Sequence, residues 1–356
     1  MKLVIQIPCL NEEATLPATL ADLPREIPGV RTIEILVVDD GSSDRTGEVA
    51  RALGVTRVVR FAQRQGLAAA FARGLQEALA MGADIIVNTD ADNQYQGRDV
   101  AKLVAPILSG QADIVIGDRQ IDTVAEFSPF KKQLQKLGSR VVRGLSHTGV
   151  PDATSGFRAY SREAALRLTV VSGFTYTLET VIQAVQKNLS VDHVPVGTNP
   201  RTRESRLFTN MGSYLQRSVT TMARIYVLYQ PLKAFLALSA AFLLAAFILF
   251  ARFLYFYFLT RPLPSGHVQS LVVAGALAIM GVLIAALGVL SDLTAMNRRL
   301  LEEILTNTRV ARYGRGANAE RRAREEDERV ATAGPPALRR VAGGVTRPGA
   351  GEPDAS

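Results

Sequence analysis

Apolar runs and helical-period segments alternate from residue 1 to about residue 210. Leu3–Ile7 is a short apolar run that ends at Pro8, and Glu12–Leu23 has helical spacing. Ile33–Val38 (IEILVV) is continuous and β-branched, the pattern of a strand buried on both faces. Ser42, Ser43 and Asp44 offer N-caps for a helix to about Leu53. Val55–Val59 reads as the next strand and Leu67–Met81 as an alanine-rich helix. Asp84–Val87 and Asp113–Ile116 read as two more strands, with a helix near Val100–Leu108 between them. Repeated βαβ units of this kind predict a mostly parallel sheet covered by helices.

The pattern then changes. Leu232–Leu259 and Val268–Leu290 are apolar runs separated by TRPLPSGH. At ~1.5 Å per residue each is long enough for a hydrocarbon core of roughly 30 Å. The tandem predicts a transmembrane hairpin. Phe253 and the run Tyr255–Phe258 form an aromatic belt at the far end of the first span. Arg217, Arg224 and Lys233 precede the hairpin and Arg298, Arg299 and Arg309 follow it, while its loop carries only Arg261. Positive charge on the inner side predicts a multi-pass inner-membrane protein with both termini cytoplasmic. The expected organisation is a soluble domain (1–210), an interfacial amphipathic helix (211–230), the hairpin (231–292), a cytosolic helix (293–312) and a disordered tail (313–356).

Composition narrows the partners. The formal charge of +8 over 356 residues points to an anionic partner. No nucleic-acid recognition module is visible, and the hairpin flanks account for much of the basic charge. A lipid bilayer is the better match, and a homo-oligomer stays open. The single Cys9 excludes an internal disulfide framework and a cysteine-based zinc site. The start, MKLVIQIPCL, lacks the long apolar stretch and cleavage site of a signal peptide, so the soluble domain is expected in the cytoplasm. His147, His193 and His267 show no ligand spacing.

In open α/β sheets, ligands bind outside the carboxyl ends of the strands. Four polar clusters occupy those positions: PCLNEE after the first strand, DDGSSD after the second, NTDADNQ after the fourth and GDR after the fifth. Asp90 and Asp92, one residue apart, can share a divalent cation that keeps waters and substrate phosphates as its other ligands. Asp39 can accept hydrogen bonds from a ribose hydroxyl or a base N–H, while Asp40 suits a turn with Gly41. Pro8, Asn11 and Glu12 suit the walls of a base pocket, and the Cys9 backbone can touch the base.

IPCLNEE, VVDDGSSD, Gly66 before the alanine-rich helix, TDADNQ, IGDR and DATSGFRAYSREA together resemble the family-two glycosyltransferases with the GT-A fold. The branch is similar to dolichyl-phosphate mannosyltransferase and the bacterial polyprenyl-phosphate glycosyltransferases. The likeness spans residues 2 to about 210. It implies an α/β, Rossmann-like catalytic domain that binds a UDP- or GDP-linked sugar with Mg²⁺ or Mn²⁺. It implies nucleotide contacts from Pro8, Cys9, Asn11, Glu12, Asp39, Asp40, Gly66, Asp90 and Ala91, and a metal held by Asp90, Asp92 and Gln94. Arg64 departs from the Asn that many relatives carry before the glycine. On the acceptor side, Asp152 is expected to orient the acceptor or act as a base. Arg158 is expected to bind a phosphate or form a structural salt bridge. Glu179 is expected to line the site or to serve as a charge in a first helical turn. Arg119, Arg201, Arg203 and Arg206 are the candidate phosphate ligands. The implied reaction is inverting transfer of a sugar to a polyprenyl phosphate. Two alternatives are a neutral lipid acceptor such as diacylglycerol, which needs a base, and a non-catalytic membrane scaffold. A processive polysaccharide synthase is disfavoured, because the chain has no Trp for the motif those enzymes carry.

Overall fold

The computed structural model describes residues 1–120, 150–170, 176–200, 220, 224, 226–227, 229–259 and 266–332. The strands are β1 (Lys2–Cys9), β2 (Thr32–Asp39), β3 (Arg57–Arg60), β4 (Ile85–Asn88), β5 (Ile114–Asp118), β6 (Arg158–Ser161) and β7 (Val191–Pro195). The helices are α1 (Leu16–Asp22), α2 (Thr46–Ala52), α3 (Leu67–Ala80), α4 (Val100–Leu108), α5 (Arg162–Arg167), α6 (Thr177–Gln186), α7 (Pro231–Leu259) and α8 (Gly266–Thr332).

The sheet runs β3-β2-β1-β4-β6-β5-β7. β1, β2, β3 and β4 pair in parallel, as do β5 and β7. β6 is antiparallel to both β4 and β5, which gives β4 and β5 the same direction. The carboxyl ends of β1, β2, β4 and β5 therefore share one edge, as the sequence pattern requires.

Alternation along β1 builds two cores. Leu3, Ile5 and Ile7 face α1 and α4 with Leu16, Leu103 and Val104, and Val4 faces α3 with Phe71 and Leu75. Side chains alternate across a strand, so each face needs its own covering layer. α1 starts at Leu16 and not at the expected Glu12. Pro17 is confined to a first turn, and Asn11 has a positive φ of 56° that no helix can contain.

α7 and α8 are both long and apolar enough to cross a membrane. They approach closely at glycines: a Cβ on Gly281 would lie 2.8 Å from Leu243, and one on Gly288 2.8 Å from Phe235. Ser239 Oγ donates to the Gly281 carbonyl at 2.7 Å. Small residues at the seam of two apolar helices permit such packing.

α8 runs through three of the expected segments. The second span, the cytosolic helix and the first part of the expected disordered tail form one helix from Gly266 to Thr332. Residues 314–332 (GRGANAERRAREEDERVAT) are dominated by Ala, Arg and Glu, good helix formers. The interfacial helix at 211–230 lies almost wholly outside the described residues.

α8 also docks on the flank of the sheet domain. Glu302 pairs with Lys187 at 3.2 Å, and the Arg298 guanidinium lies 4.6 Å from the centre of the Tyr229 ring. Arg309 Nη1 donates to the Leu168 carbonyl at 2.6 Å, and Arg162 Nη2 donates to the Tyr313 carbonyl at 2.9 Å.

A candidate active site at the carboxyl edge of the sheet

Each polar cluster is built by the strand before it. After β1, Pro8 and Cys9 are buried and Asn11 turns the chain with its positive φ. The Asn11 carboxamide oxygen accepts from Ser43 N at 2.8 Å, which ties the β1 loop to the β2 loop. Glu12 N donates to Thr46 Oγ1 at 2.7 Å, and the Glu12 carboxylate accepts from Thr15 Oγ1 at 2.6 Å. Burial pushes the Cys9 thiol well up, and the charges of Glu12 and Asp39 add to the effect. Such a thiol is unreactive, in keeping with a backbone role only.

The two aspartates after β2 separate in function. Asp40 accepts from Gln65 N at 2.7 Å and Gly66 N at 2.9 Å. It thereby pins the loop before α3, where Gly66 has a φ of 98°. Asp40 and Gly66 thus hold each other in place. Asp39 is fully buried: Oδ1 accepts from Ser42 N at 2.8 Å, and Oδ2 lies 3.4 Å from Arg60 Nε. Asp39 Oδ2 makes no hydrogen bond among the described residues and is neutralised by the Arg60 ion pair.

The acidic pair after β4 lies between these loops and the acceptor-side segment. Ala91 is buried, and its carbonyl accepts from Thr19 Oγ1 at 2.9 Å, which anchors the turn to α1. Asp92 Oδ1 accepts from Gln94 N at 3.1 Å, and the Gln94 carbonyl accepts from Asn199 N at 2.8 Å. The Asp90 carboxyl is pushed up to about 7, first by lost hydration and then by the charge of Asp92. Glu12 adds to this and Arg119 opposes it. An acidic pair under this tension fits a divalent cation, which would take both carboxylates in their charged form. The described residues contain no group of three or more His, Cys, Asp or Glu side chains that could hold a metal. Two carboxylates alone suit a cation that is completed by water and substrate phosphates.

Opposite the acids, Arg119 grips Asp152 with two bonds, Nε to Oδ2 at 2.7 Å and Nη2 to Oδ1 at 3.1 Å. Nη2 also reaches Thr154 Oγ1 at 3.1 Å. Burial alone would raise the Asp152 carboxyl, but Arg119 and Thr154 outweigh it and the net direction is down. A carboxylate stabilised this way is a weak base. The Arg119 guanidinium stays charged against the cost of its burial, paired with the Asp152 carboxylate.

Arg158 differs from both expectations. It is fully buried, and its donors go to the carbonyls of Ser155, Ala153 and Thr177 and to Thr180 Oγ1, at 2.7–2.9 Å. The guanidinium clamps the 153–155 loop to the first turn of α6, and its charge also favours the nearby Asp152 carboxylate. Glu179 is buried on α6 and accepts from Gln183 Nε2 at 3.3 Å; the same Gln183 nitrogen lies 3.3 Å from Tyr229 Oη. Arg201, Arg203 and Arg206 lie outside the described residues.

The sequence reading missed the layer beneath the acids. Gln6 Nε2 donates to Asn88 Oδ1 at 2.9 Å. Asn88 Nδ2 donates to the Gly156 carbonyl at 2.8 Å and bonds Tyr176 Oη at 2.9 Å. Gly156 N donates to Tyr95 Oη at 3.2 Å. Asn88 opens the NTDADNQ cluster already singled out, whereas Tyr95 follows its last residue and carried no signal of its own.

Comparisons with known proteins identify the family. The family model for glycosyl transferase family 2 matches residues 4–169. The chain is 30% identical over 204 residues to polyprenol monophosphomannose synthase of Mycolicibacterium smegmatis, covering 54% of this chain and 76% of that protein. It is 33% identical over 217 residues to dolichol-phosphate mannosyltransferase of Pyrococcus furiosus, covering 58% of this chain and 59% of that protein. Among solved structures it is similar to glucosyl-3-phosphoglycerate synthase from Mycobacterium tuberculosis, in complex with Mn²⁺, UDP-glucose and phosphoglyceric acid. That likeness has a TM-score of 0.49 and 26% identity, over 62% of this chain and 79% of the other. With a GT-A-like sheet and this match to sequence, the chain belongs to glycosyltransferase family 2 and is a nucleotide-sugar-dependent glycosyltransferase.

Proposed function

We propose that the protein transfers a sugar, with inversion, from a UDP- or GDP-linked donor to a polyprenyl phosphate at the cytoplasmic face of a membrane. One observation carries the reading: the acid pair Asp90–Asp92 faces an Arg119 that already neutralises Asp152, in a domain followed by two apolar helices. The helices expose large apolar side chains such as Phe247, Ile248, Val272 and Ile279, as lipid-facing surfaces do. The printed names of the relatives include polyprenol and dolichol phosphate acceptors.

Asp39, at the end of β2, contacts the base or ribose of the donor, while Pro8 and the Asn11 turn form the wall. Asp90, Asp92 and Gln94 surround the diphosphate. Mg²⁺ or Mn²⁺, when bound there, supplies charge neutralisation for the departing nucleoside diphosphate. Arg119 adds a fixed positive charge beside the reacting centre, held in place by Asp152. A phosphate monoester has a second pKa near ~6, so it is largely dianionic at neutral pH and attacks the anomeric carbon with little need of a base. The protein's task is then alignment and electrostatic stabilisation. A neutral acceptor such as diacylglycerol would need a base. Asp152, paired and lowered, is poorly suited to that role, and this favours the phosphate acceptor.

The test is mass spectrometry of polyprenyl phosphate incubated with the detergent-solubilised chain, Mg²⁺ or Mn²⁺ and a panel of UDP- and GDP-sugars. A sugar–phosphoryl–polyprenol that disappears in Asp90→Asn is expected. Absence of this product with every donor, or transfer to diacylglycerol instead, overturns the proposal.

A further inference from the structure

Beneath the acid pair, Gly156 makes an unusually close approach. A Cβ built on it would lie 3.0 and 3.1 Å from the two Asp90 carboxylate oxygens and 3.1 Å from Tyr176 Oη. The backbone of Gly156 has little room to retreat. Its N–H is bonded to Tyr95 Oη at 3.2 Å, and its carbonyl accepts from Asn88 Nδ2 at 2.8 Å. The next residue, Phe157, is fully buried and stacks on Tyr95 with ring centres 4.9 Å apart. Tyr176 is equally fixed. Its ring stacks on Phe71 at 3.8 Å between centres, and its hydroxyl is bonded to Asn88 at 2.9 Å. Of the three neighbours, the Asp90 side chain is the one left to move.

We infer that Gly156 is a positioning residue for Asp90: the missing side chain on the acceptor-side loop sets where the donor-side acid stands, so any Cβ there displaces the carboxylate and weakens cation binding. The inference rests on the proposed role of Asp90 and Asp92 as cation ligands. Its physical basis is that side chains behind a metal ligand fix the ligand's orientation, and their loss or misplacement costs about 10–100-fold in metal affinity. It also ties the two halves of the reaction together, because the segment 152–156 that carries Asp152 then touches the acid that holds the donor's diphosphate.

The experiment is Mn²⁺ titration of the full-length chain in detergent, with UDP and then GDP at fixed concentration, alongside melting temperatures. Four proteins are compared: wild type, Asp90→Asn, Gly156→Ala and Gly29→Ala. Gly29 sits in a turn at the opposite edge of the sheet with a φ of 84°, so Ala there is strained without touching the site. The expected result is an affinity loss of about 10–100-fold in Gly156→Ala and a comparable loss in Asp90→Asn. Gly29→Ala should melt earlier and bind Mn²⁺ as wild type does. Wild-type affinity in Gly156→Ala, with affinity lost in Asp90→Asn, overturns the inference and leaves the cation reading standing. Wild-type affinity in Asp90→Asn removes the cation reading and the inference with it. Should Gly156→Ala fail to fold, adding Tyr176→Phe removes the hydroxyl contact and keeps the carboxylate one. That double variant is expected to fold and still bind Mn²⁺ weakly, and tight binding in it counts against the inference.

Discussion

Asp90 has a carboxyl that burial and Asp92 push up from 3.8 to about 7, and this makes it a proton-linked element of the fold. The folded protein holds that proton more tightly than the unfolded chain does. Linkage then gives the sign: below about 4 both states are protonated and the shift has no effect. Between about 4 and about 7 the unfolded chain ionises first, so stability falls as pH rises through this window. The metal-free protein is therefore expected to lose melting temperature across that range, and Asp90→Asn to lose less. Mn²⁺ binding must displace the same proton, so the melting shift it produces should grow from pH 6 to pH 8. Differential scanning fluorimetry in detergent, with and without Mn²⁺, measures both. A pH-independent Mn²⁺ shift would contradict the assignment. Asp152 illustrates the opposite environment a short distance away, where Arg119 holds a buried carboxylate in its charged form.

At the scale of elements, β1 to β5 and their helices were legible because each buried strand is a continuous apolar run and each helix has a clear period. The α4 boundaries, Val100–Leu108, match the pattern. β6 and β7 were not legible. β6 has four residues (RAYS) and is held mainly by its position between β4 and β5, while the edge strand β7 (VDHVP) carries charged residues and no apolar run. The acidic pair and its common edge with the other loops could be read from spacing. The Arg119–Asp152 pair and the burial of Arg158 could not, because both depend on the chain returning after residue 150. The α6–α8 junction was equally hidden, being made by single residues far apart: Lys187, Tyr229, Arg298 and Glu302. Glu302 lies 3.2 Å from Lys187 and 3.8 Å from Arg298, facing two cations. Glu302→Lys would leave three positive side chains together. It is expected to loosen α8 from α6, seen as faster limited proteolysis near residue 300. Nucleotide binding by the sheet domain should stay at wild-type strength. Unchanged proteolysis would mean that the ion pairs do not hold this junction.

For the whole molecule, the central fact is that α8 does not break between its apolar stretch and the residues that grip the sheet domain. Arg298, Glu302 and Arg309 extend from the same helix that packs on α7 through Gly281 and Gly288. A rigid rod transmits angle as well as distance. Each added residue turns everything beyond it by about 100° and advances it by about 1.5 Å. The sheet domain is thus clocked against the two apolar helices the way a cam is keyed to its shaft. Inserting one alanine after Thr294 should throw the docking residues off their partners and sharply reduce glycolipid synthesis. Four alanines, close to a whole turn, should restore much of it despite the longer insertion. Product yield that falls steadily with insert length, with no recovery at four, would show that reach matters here and rotational phase does not.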